Sequence, residues 1–431
     1  MPQFDVLIVG AGISGLAAAR KLTRAFKKVL ILEAADRAGG RIADLREPGF
    51  PQPVMLGAEF IHGKLPLTMA LLQEAGIHYY PVDGKSVRMF KGKEQRKEED
   101  DWSLVMEKLK SLKEDISLSE FLNRYIGGEK YEGLRESVLN FAKGFDAADP
   151  DDASSLSLSK EWQQEEGEQY RIEGGYGRLI DFMEGECLLY GAEIYYGETV
   201  KKVSWRPGFA EVITSSGNCY SAEKIIITVP VGVLKMEVTE PGAIEFNPPL
   251  PERIALIRSI GFGSVIKAVL YFEGAFWEAK TGTDTGFIFS DEAFPTWWTQ
   301  YPLSHPVLTG WLGGPDAESY RNATEDELLE MALHSLSRIF DMERAELKKS
   351  LLAFKISNWA ANPFANGAYT YPTVSVPQPS EVLAAPVADT IYFAGEAAYQ
   401  GIYGGTVEAA LASTLGLLSG SEELEITSSN S

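Results

Sequence analysis

Residues 4–22, FDVLIVGAGISGLAAARKL, place Gly10, Gly12 and Gly15 where an apolar run gives way to a helix-like one. The run before Gly10 is short, β-branched and flanked by turn residues, which predicts a buried parallel strand. From Ser14 onward the Ala, Leu, Arg and Lys content is that of a helix. A turn this tight needs Gly10, bare backbone at Gly12 lets a pyrophosphate approach, and Gly15 lets helix and strand pack. The helix opens at Ile13 and Ser14, where free N–H groups and the positive dipole end face the phosphates. A second run, KVLILEA at residues 28–34, carries Glu33 and Ala34 at its end. Glu33 follows the glycines by roughly the 20 residues expected of an acid that binds ribose hydroxyls. The bland alternative is a Gly-rich turn in another α/β fold; strand, glycines, helix, strand and acid in one unit favour a dinucleotide site.

Composition narrows the rest. The chain has 431 residues, 45% of them hydrophobic, enough for two or three core-bearing units. A net charge of −21 excludes the basic footprint that nucleic acid requires. It would draw in small cations, although many proteins are acidic for solubility alone. Cys187 and Cys219 form no C-x-x-C and no framework, and are expected to be buried thiols in a reducing compartment. The four histidines are scattered, so no metal site is expected. The chain runs from MPQ straight into the first strand, and no apolar stretch reaches about 18 residues. A soluble, cytoplasmic protein with no membrane contact is the expectation.

Along the chain, residues 66–162 read as helical, with the charge run at 91–101 as a solvated loop and helix start. Strand signals return from about residue 194, a helix is expected near 325–340, and a strand, turn and small-residue helix close the chain. The acidic segment 421–431 reads as a frayed tail. Helical and β-rich blocks alternate with βαβ pieces, the pattern of two interleaved domains.

Five separated motifs together resemble the flavin-containing amine oxidases, the family of monoamine oxidases, polyamine oxidases and lysine-specific histone demethylases. They are VLIVGAGISGLAAAR with Glu33; AGGR at 38–41; LGAEFIHG at 56–63; SVIKAVLYF at 264–272; and NWAANPFANGAYT at 358–370 followed by YFAGEA and GGTVEAA. The resemblance implies an α/β fold: a Rossmann-like FAD-binding domain (1–75, 171–236, 386–420) interleaved with an α+β substrate domain (76–170, 237–385). On physical grounds too, Gly39 and Gly40 allow close backbone approach, and Arg41 can fork onto phosphate oxygens.

The resemblance places the remaining contacts. Leu56, Gly57, Ala58 and Glu59 would line the isoalloxazine, and Val200 would meet the adenine through its backbone. Gly395 and Glu396 would form a second cofactor-binding segment. The helix beginning at Gly405, Thr406 and Val407 would aim its N-terminus at the flavin, favouring the anionic reduced form. Trp359 and Phe364 would wall the pocket. Ala368 stands where monoamine oxidases carry the cysteine that holds FAD covalently, so the FAD is expected to be non-covalent. Thr406 replaces their second cage aromatic. Ala409 departs from the usual glycine, which implies slightly altered helix packing.

Three residues are expected to carry chemistry. Lys267, mid-strand among apolar residues, is either a charge guarding a sheet edge or a buried amine with a task; by resemblance it holds a water against flavin N5. Tyr369 matches the aromatic that orients the amine. His62 occupies a position where polyamine oxidases contact substrate, and the arginine that grips a carboxylate in amino-acid oxidases is missing from that loop. The implied reaction passes hydride from the amine α-carbon to the flavin; the imine hydrolyses, and O2 becomes H2O2. Polyamines are favoured over monoamines. The rival readings are a monoamine or L-amino-acid oxidase, a desaturase or protoporphyrinogen-type oxidase on the same fold, and an FAD-bearing binding protein without turnover.

Overall fold

The computed structural model describes residues 2–95, 102–163, 168–374 and 379–420. The first strand, Phe4–Val9, pairs in parallel with Val29–Leu32 on one side and Cys219–Ile227 on the other. Its residues are almost all buried, as both-face coverage of a parallel sheet demands. The nine-residue strand Cys219–Ile227 serves two partners on its other flank. Its first half pairs antiparallel with Phe209–Thr214, and its second half parallel with Ile391–Phe393. The strands Phe4–Val9, Val29–Leu32, Cys219–Ile227 and Ile391–Phe393 therefore run the same way, and their carboxyl ends open onto one crevice, where such sheets bind ligands.

A second, seven-stranded sheet runs in the order Leu351–Asn358, Val265–Phe272, Val307–Gly313, Thr296–Trp298, Thr285–Phe289, Lys85–Phe90, Lys93–Gln95. The helix Glu325–Phe340 covers it with Leu329, Leu333, Leu336 and Phe340, and begins at a capping box formed by Thr324 and Glu327. Four helices, Trp102–Lys110, Leu118–Tyr125, Glu132–Gly144 and Ser155–Trp162, pack around Phe121, Val138 and Leu158.

Several sequence expectations need correction. The 66–162 block is not wholly helical: Tyr79–Pro81, Lys85–Phe90 and Lys93–Gln95 are strands that complete two sheets. Of the charge run, Lys93–Gln95 is an exposed strand, and residues 96–101 lie outside the described residues, as does the 421–431 tail. Cys187 is buried and its thiol donates to the Leu16 carbonyl, but Cys219 is exposed because it opens a strand at the sheet margin. Ala409 is buried without disturbing its helix; the neighbouring Glu408 does structural work instead. Its carboxylate accepts from Leu67 N (2.9 Å), Thr68 N (2.8 Å) and Thr68 Oγ1 (2.8 Å), capping the helix Pro66–Glu74 from another segment.

Candidate active site

At the end of the first strand the chain turns through Gly10, whose φ of +106° suits only glycine. A Cβ on Gly15 would lie 2.0 Å from the Gly10 carbonyl oxygen, so the helix can sit this close to the turn only with a bare α-carbon. The loop at 38–42 lies against it: Gly39 N donates to Ala11 O at 2.9 Å. Arg37 sews that loop together by donating to the carbonyls of Ala38, Gly40 and Ile42. Cβ atoms on Gly12 and Gly40 would meet nothing closer than 3.9 and 3.7 Å, so these two glycines present bare backbone to the crevice. Glu33 accepts from Ala11 N (2.6 Å) and Ala35 N (2.8 Å). Burial pushes its carboxyl up, and these backbone donors hold against it. A carboxylate offers about four lone-pair sites, so capacity remains for sugar hydroxyls. A bare-backbone cradle, a helix N-terminus and an acid with spare acceptors fit a dinucleotide such as FAD.

The crevice leads into a cavity of about 1760 Å³. That exceeds the roughly 300–1,000 Å³ of a single small-ligand site, leaving room for cofactor and substrate together. Gly10, Gly12, Ile13, Ser14, Glu33, Ala34, Gly40, Arg41, Gly57, Ala58, Glu59 and Val200 line it. So do Lys267, Tyr369, His62, Trp359, Gly395, Glu396, Gly405, Thr406 and Val407. Two expected contacts do not. Gly15 lies behind the turn, serving helix–strand packing. Leu56 turns away, its N–H donating to Ala43 O and its carbonyl accepting from Trp359 Nε1.

Several side chains spend their hydrogen bonds differently from expectation. Arg41 Nη1 donates to Glu396 Oε1 (2.9 Å) and Ala368 O (2.6 Å), so part of its fork serves the protein. The other Glu396 oxygen accepts from Thr370 Oγ1. Ser14 Oγ shares a hydrogen bond with Thr414 Oγ1 at 2.6 Å. Thr406 Oγ1 accepts from Ala409 N, capping the helix Val407–Gly420 whose opening residues face the cavity.

Lys267 sits in the interior strand Val265–Phe272, paired on both sides, with 0% of its surface exposed. The edge-guard reading therefore falls. Its Nζ donates to Glu59 Oε2 (2.5 Å) and Gly57 O (3.2 Å). Glu59 Oε1 in turn accepts from Trp298 Nε1 (3.0 Å) and pairs with Arg171 Nη2 (3.0 Å). Burial pushes the Lys267 ammonium down, with Glu59 opposing. Burial pushes the Glu59 carboxyl up, but Lys267 and Arg171 outweigh it and hold it below the usual range. Arg171 and Trp298 carried no sequence signal; both are distant in the chain and reach the site only through sheet pairing.

Tyr369 donates its hydroxyl to Phe145 O at 2.7 Å, which fixes the ring, and burial pushes its phenol well up, so it stays neutral. Gly405 packs on that ring: a Cβ there would come within 3.0 Å of Tyr369 Cδ2. His62 lies 5.2 Å from the Phe145 ring, edge-on, and its Nδ1 is buried without a protein partner. Burial lowers the imidazole to about 4. In the folded chain His62 is thus neutral at pH values where the unfolded chain, near 6.5, binds a proton. Its contribution to stability is whole above pH 6.5 and is lost as pH falls toward 4. We expect His62→Phe to remove about 2 kcal/mol of that decline, the full shift being discounted for solvent reaching the cavity. Urea unfolding of both proteins at pH 4.5 and 7 measures the difference.

The sequence profile of the family described as flavin containing amine oxidoreductase matches residues 13–102 and 88–415. Polyamine oxidase 4 of Oryza sativa subsp. japonica is 27% identical over 436 residues, spanning 91% of this chain and 84% of that one. Human lysine-specific histone demethylase 2 is 27% identical over 429 residues; 91% of this chain aligns with only 50% of that protein. Among solved structures, putrescine oxidase bound to putrescine superposes with a TM-score of 0.78 at 21% identity, covering 96% of this chain and 98% of that one. Cyclohexylamine oxidase from Brevibacterium oxydans gives 0.77 at 20% identity, covering 97% and 98%. These two structures share the fold.

Proposed function

This chain belongs to the flavin-containing amine oxidoreductase family, and from that premise we propose that it oxidises amines with a non-covalent FAD, polyamines ahead of simple monoamines, releasing hydrogen peroxide. One observation carries the reading: buried Lys267, ring-fixed Tyr369 and neutral His62 border the same cavity as the glycine cradle. FAD, when bound, accepts the hydride and passes the electrons to oxygen. The chain's residues do the rest. Tyr369 presents a fixed ring face against which an amine is held and water excluded. Lys267 has an N–H left over for a water at the reacting end. His62 Nδ1, lacking a protein partner, accepts from an N–H of the substrate. Asp146 and Glu161 also line the cavity, and supply negative charge for a second ammonium that a monoamine lacks.

The amino-acid oxidase reading is disfavoured by how the lining arginines are used. Arg37 holds loop carbonyls, Arg41 pairs with Glu396, and Arg88 pairs with Asp291. For the cofactor, Ala368 offers no nucleophile, and neither cysteine lines the cavity. Acid precipitation is therefore expected to leave all the flavin in the supernatant; yellow colour in the pellet overturns the non-covalent assignment. Anaerobic bleaching and peroxide release across putrescine, spermidine, benzylamine and amino acids test the substrate. The expected outcome is kcat/KM at least tenfold higher for di- and polyamines, a difference of about 1.4 kcal/mol. Equal rates for benzylamine remove the polyamine preference, and no bleaching by any amine removes the proposed activity.

A further inference from the structure

Two buried cations share a single carboxylate at this site. Arg171 is 1% exposed and Lys267 0%, and both pair with Glu59, itself 5% exposed. Glu59 divides its oxygens, Oε1 to Arg171 and Trp298, Oε2 to Lys267. Arg171 is tied down in turn: its guanidinium lies 4.9 Å over the Phe60 ring and donates to Thr299 O and Tyr301 O. An ammonium has three N–H groups. Glu59 and Gly57 O take two of those on Lys267, and the remaining one is left for the cavity the lysine lines. The direction of that last N–H is thus set by where Glu59 stands.

We propose that Glu59, anchored by Arg171 and Trp298, is a positioning residue that fixes Lys267 Nζ and supplies its counter-charge. This rests on the amine-oxidase reading of the same site. Arginine does not give up its proton in proteins, whereas a buried lysine does. Lys267 is therefore the member whose charge depends on Glu59. The charged groups acting on it are Glu59 and Asp44, which favour the ammonium, and Arg171, which opposes it. Asp44, raised by burial to about 6, adds to the counter-charge only above that pH.

A double-mutant cycle tests this, with Glu59→Gln and Lys267→Met made singly and together. Glutamine keeps the size and one acceptor but removes the charge. In Glu59→Gln, kcat should fall at least tenfold with KM moved less than about threefold. The basic limb of its pH profile should shift down by a unit or more. In the Lys267→Met background the same change should alter kcat less than about twofold, because nothing remains for Glu59 to position. Arg171→Gln, which removes the competing cation, should move the basic limb the other way, and it decides the sign should Glu59→Gln fail to fold. The midpoint potential of the bound flavin, followed against pH by dye titration, should change with Glu59→Gln in the wild-type background and not in the Lys267→Met background. Equal effects of Glu59→Gln in both backgrounds, or a basic limb indifferent to either charge, overturn the proposal. If the wild-type protein oxidises no amine, the functional reading fails, and the potential measurement still decides the role of Glu59.

Discussion

Lys267→Met is expected to slow amine oxidation by about 10²–10³-fold while the protein remains folded and yellow, a loss of about 3–4 kcal/mol of transition-state stabilisation. The fold should tolerate it because of the charge arithmetic. Removing the ammonium leaves Glu59 still paired with Arg171 at 3.0 Å and still accepting from Trp298. No carboxylate is stranded, and methionine fills nearly the same space with an apolar chain in an apolar strand. The reverse deletion is different: Glu59→Ala buries two cations without their shared anion. Breaking a buried pair in this way typically costs about 3–5 kcal/mol of stability. The contrast separates chemistry from structure. Stopped-flow reduction by spermidine reads the first effect and thermal melting the second. A Lys267→Met protein that reduces at the wild-type rate removes the lysine from the reaction.

The parts of this site legible in the sequence are those whose physics is local. Of the glycines between strand and helix, Gly10 is required by its own φ of +106° and Gly15 by a contact within the same turn, where its Cβ would strike Gly10 O at 2.0 Å. The helix Glu325–Phe340, expected near 325–340, forms with one apolar face and a capping box at its start, both of them local features. A lysine among branched apolar residues signals burial, although not what balances it. The balance is non-local: Arg171 enters by pairing Gln169–Ile172 with Phe60–His62, and Trp298 by the register of the second sheet. No periodicity encodes which distant cation faces which carboxylate. The strand Lys85–Phe90 was hidden for a related reason. Its identity depends on pairing with Thr285–Phe289, and its two buried positions, Val87 and Met89, sit among Ser86, Arg88 and an exposed Phe90, too short a pattern to mark a strand by itself. Glu408 belongs to the same class, since its three donors come from Leu67 and Thr68.

Gly57→Ala should be as damaging as any change to a charged residue here, although it adds only one methyl group. A Cβ at that position would lie 1.8 Å from Arg41 O and 2.9 Å from the Arg41 carbonyl carbon. Both obstacles are backbone, so relief requires the loop to move bodily. Moving it breaks the hydrogen bond from Ala58 N to Arg41 O (3.1 Å) and withdraws Gly57 O from Lys267. Leu56 O, which anchors Trp359 Nε1, moves as well, and so does the start of the segment carrying Glu59. Overpacking of this kind costs about 1–3 kcal/mol where side chains can yield, and rigid backbone puts this site at or beyond the upper end. A displacement near 1 Å at the reacting groups costs on the order of 10²-fold in rate. The Gly57→Ala protein is thus expected to melt earlier, lose flavin on gel filtration and retain about 1% of wild-type turnover, in line with that 10²-fold loss. Gly185→Ala is the control. Gly185 lies exposed within the helix Gly177–Leu189, and a Cβ there meets nothing within 4 Å. The same substitution in that place should raise stability by about 0.5–1 kcal/mol through helix propensity. Two Gly→Ala changes with opposite signs, read by melting and flavin retention, would place the constraint in the contact between Gly57 and Arg41 and not in glycine content as such. Should Gly57→Ala melt with the wild type and keep its flavin, the loop is softer than this packing allows, and the rigid frame argued for Lys267 goes with it.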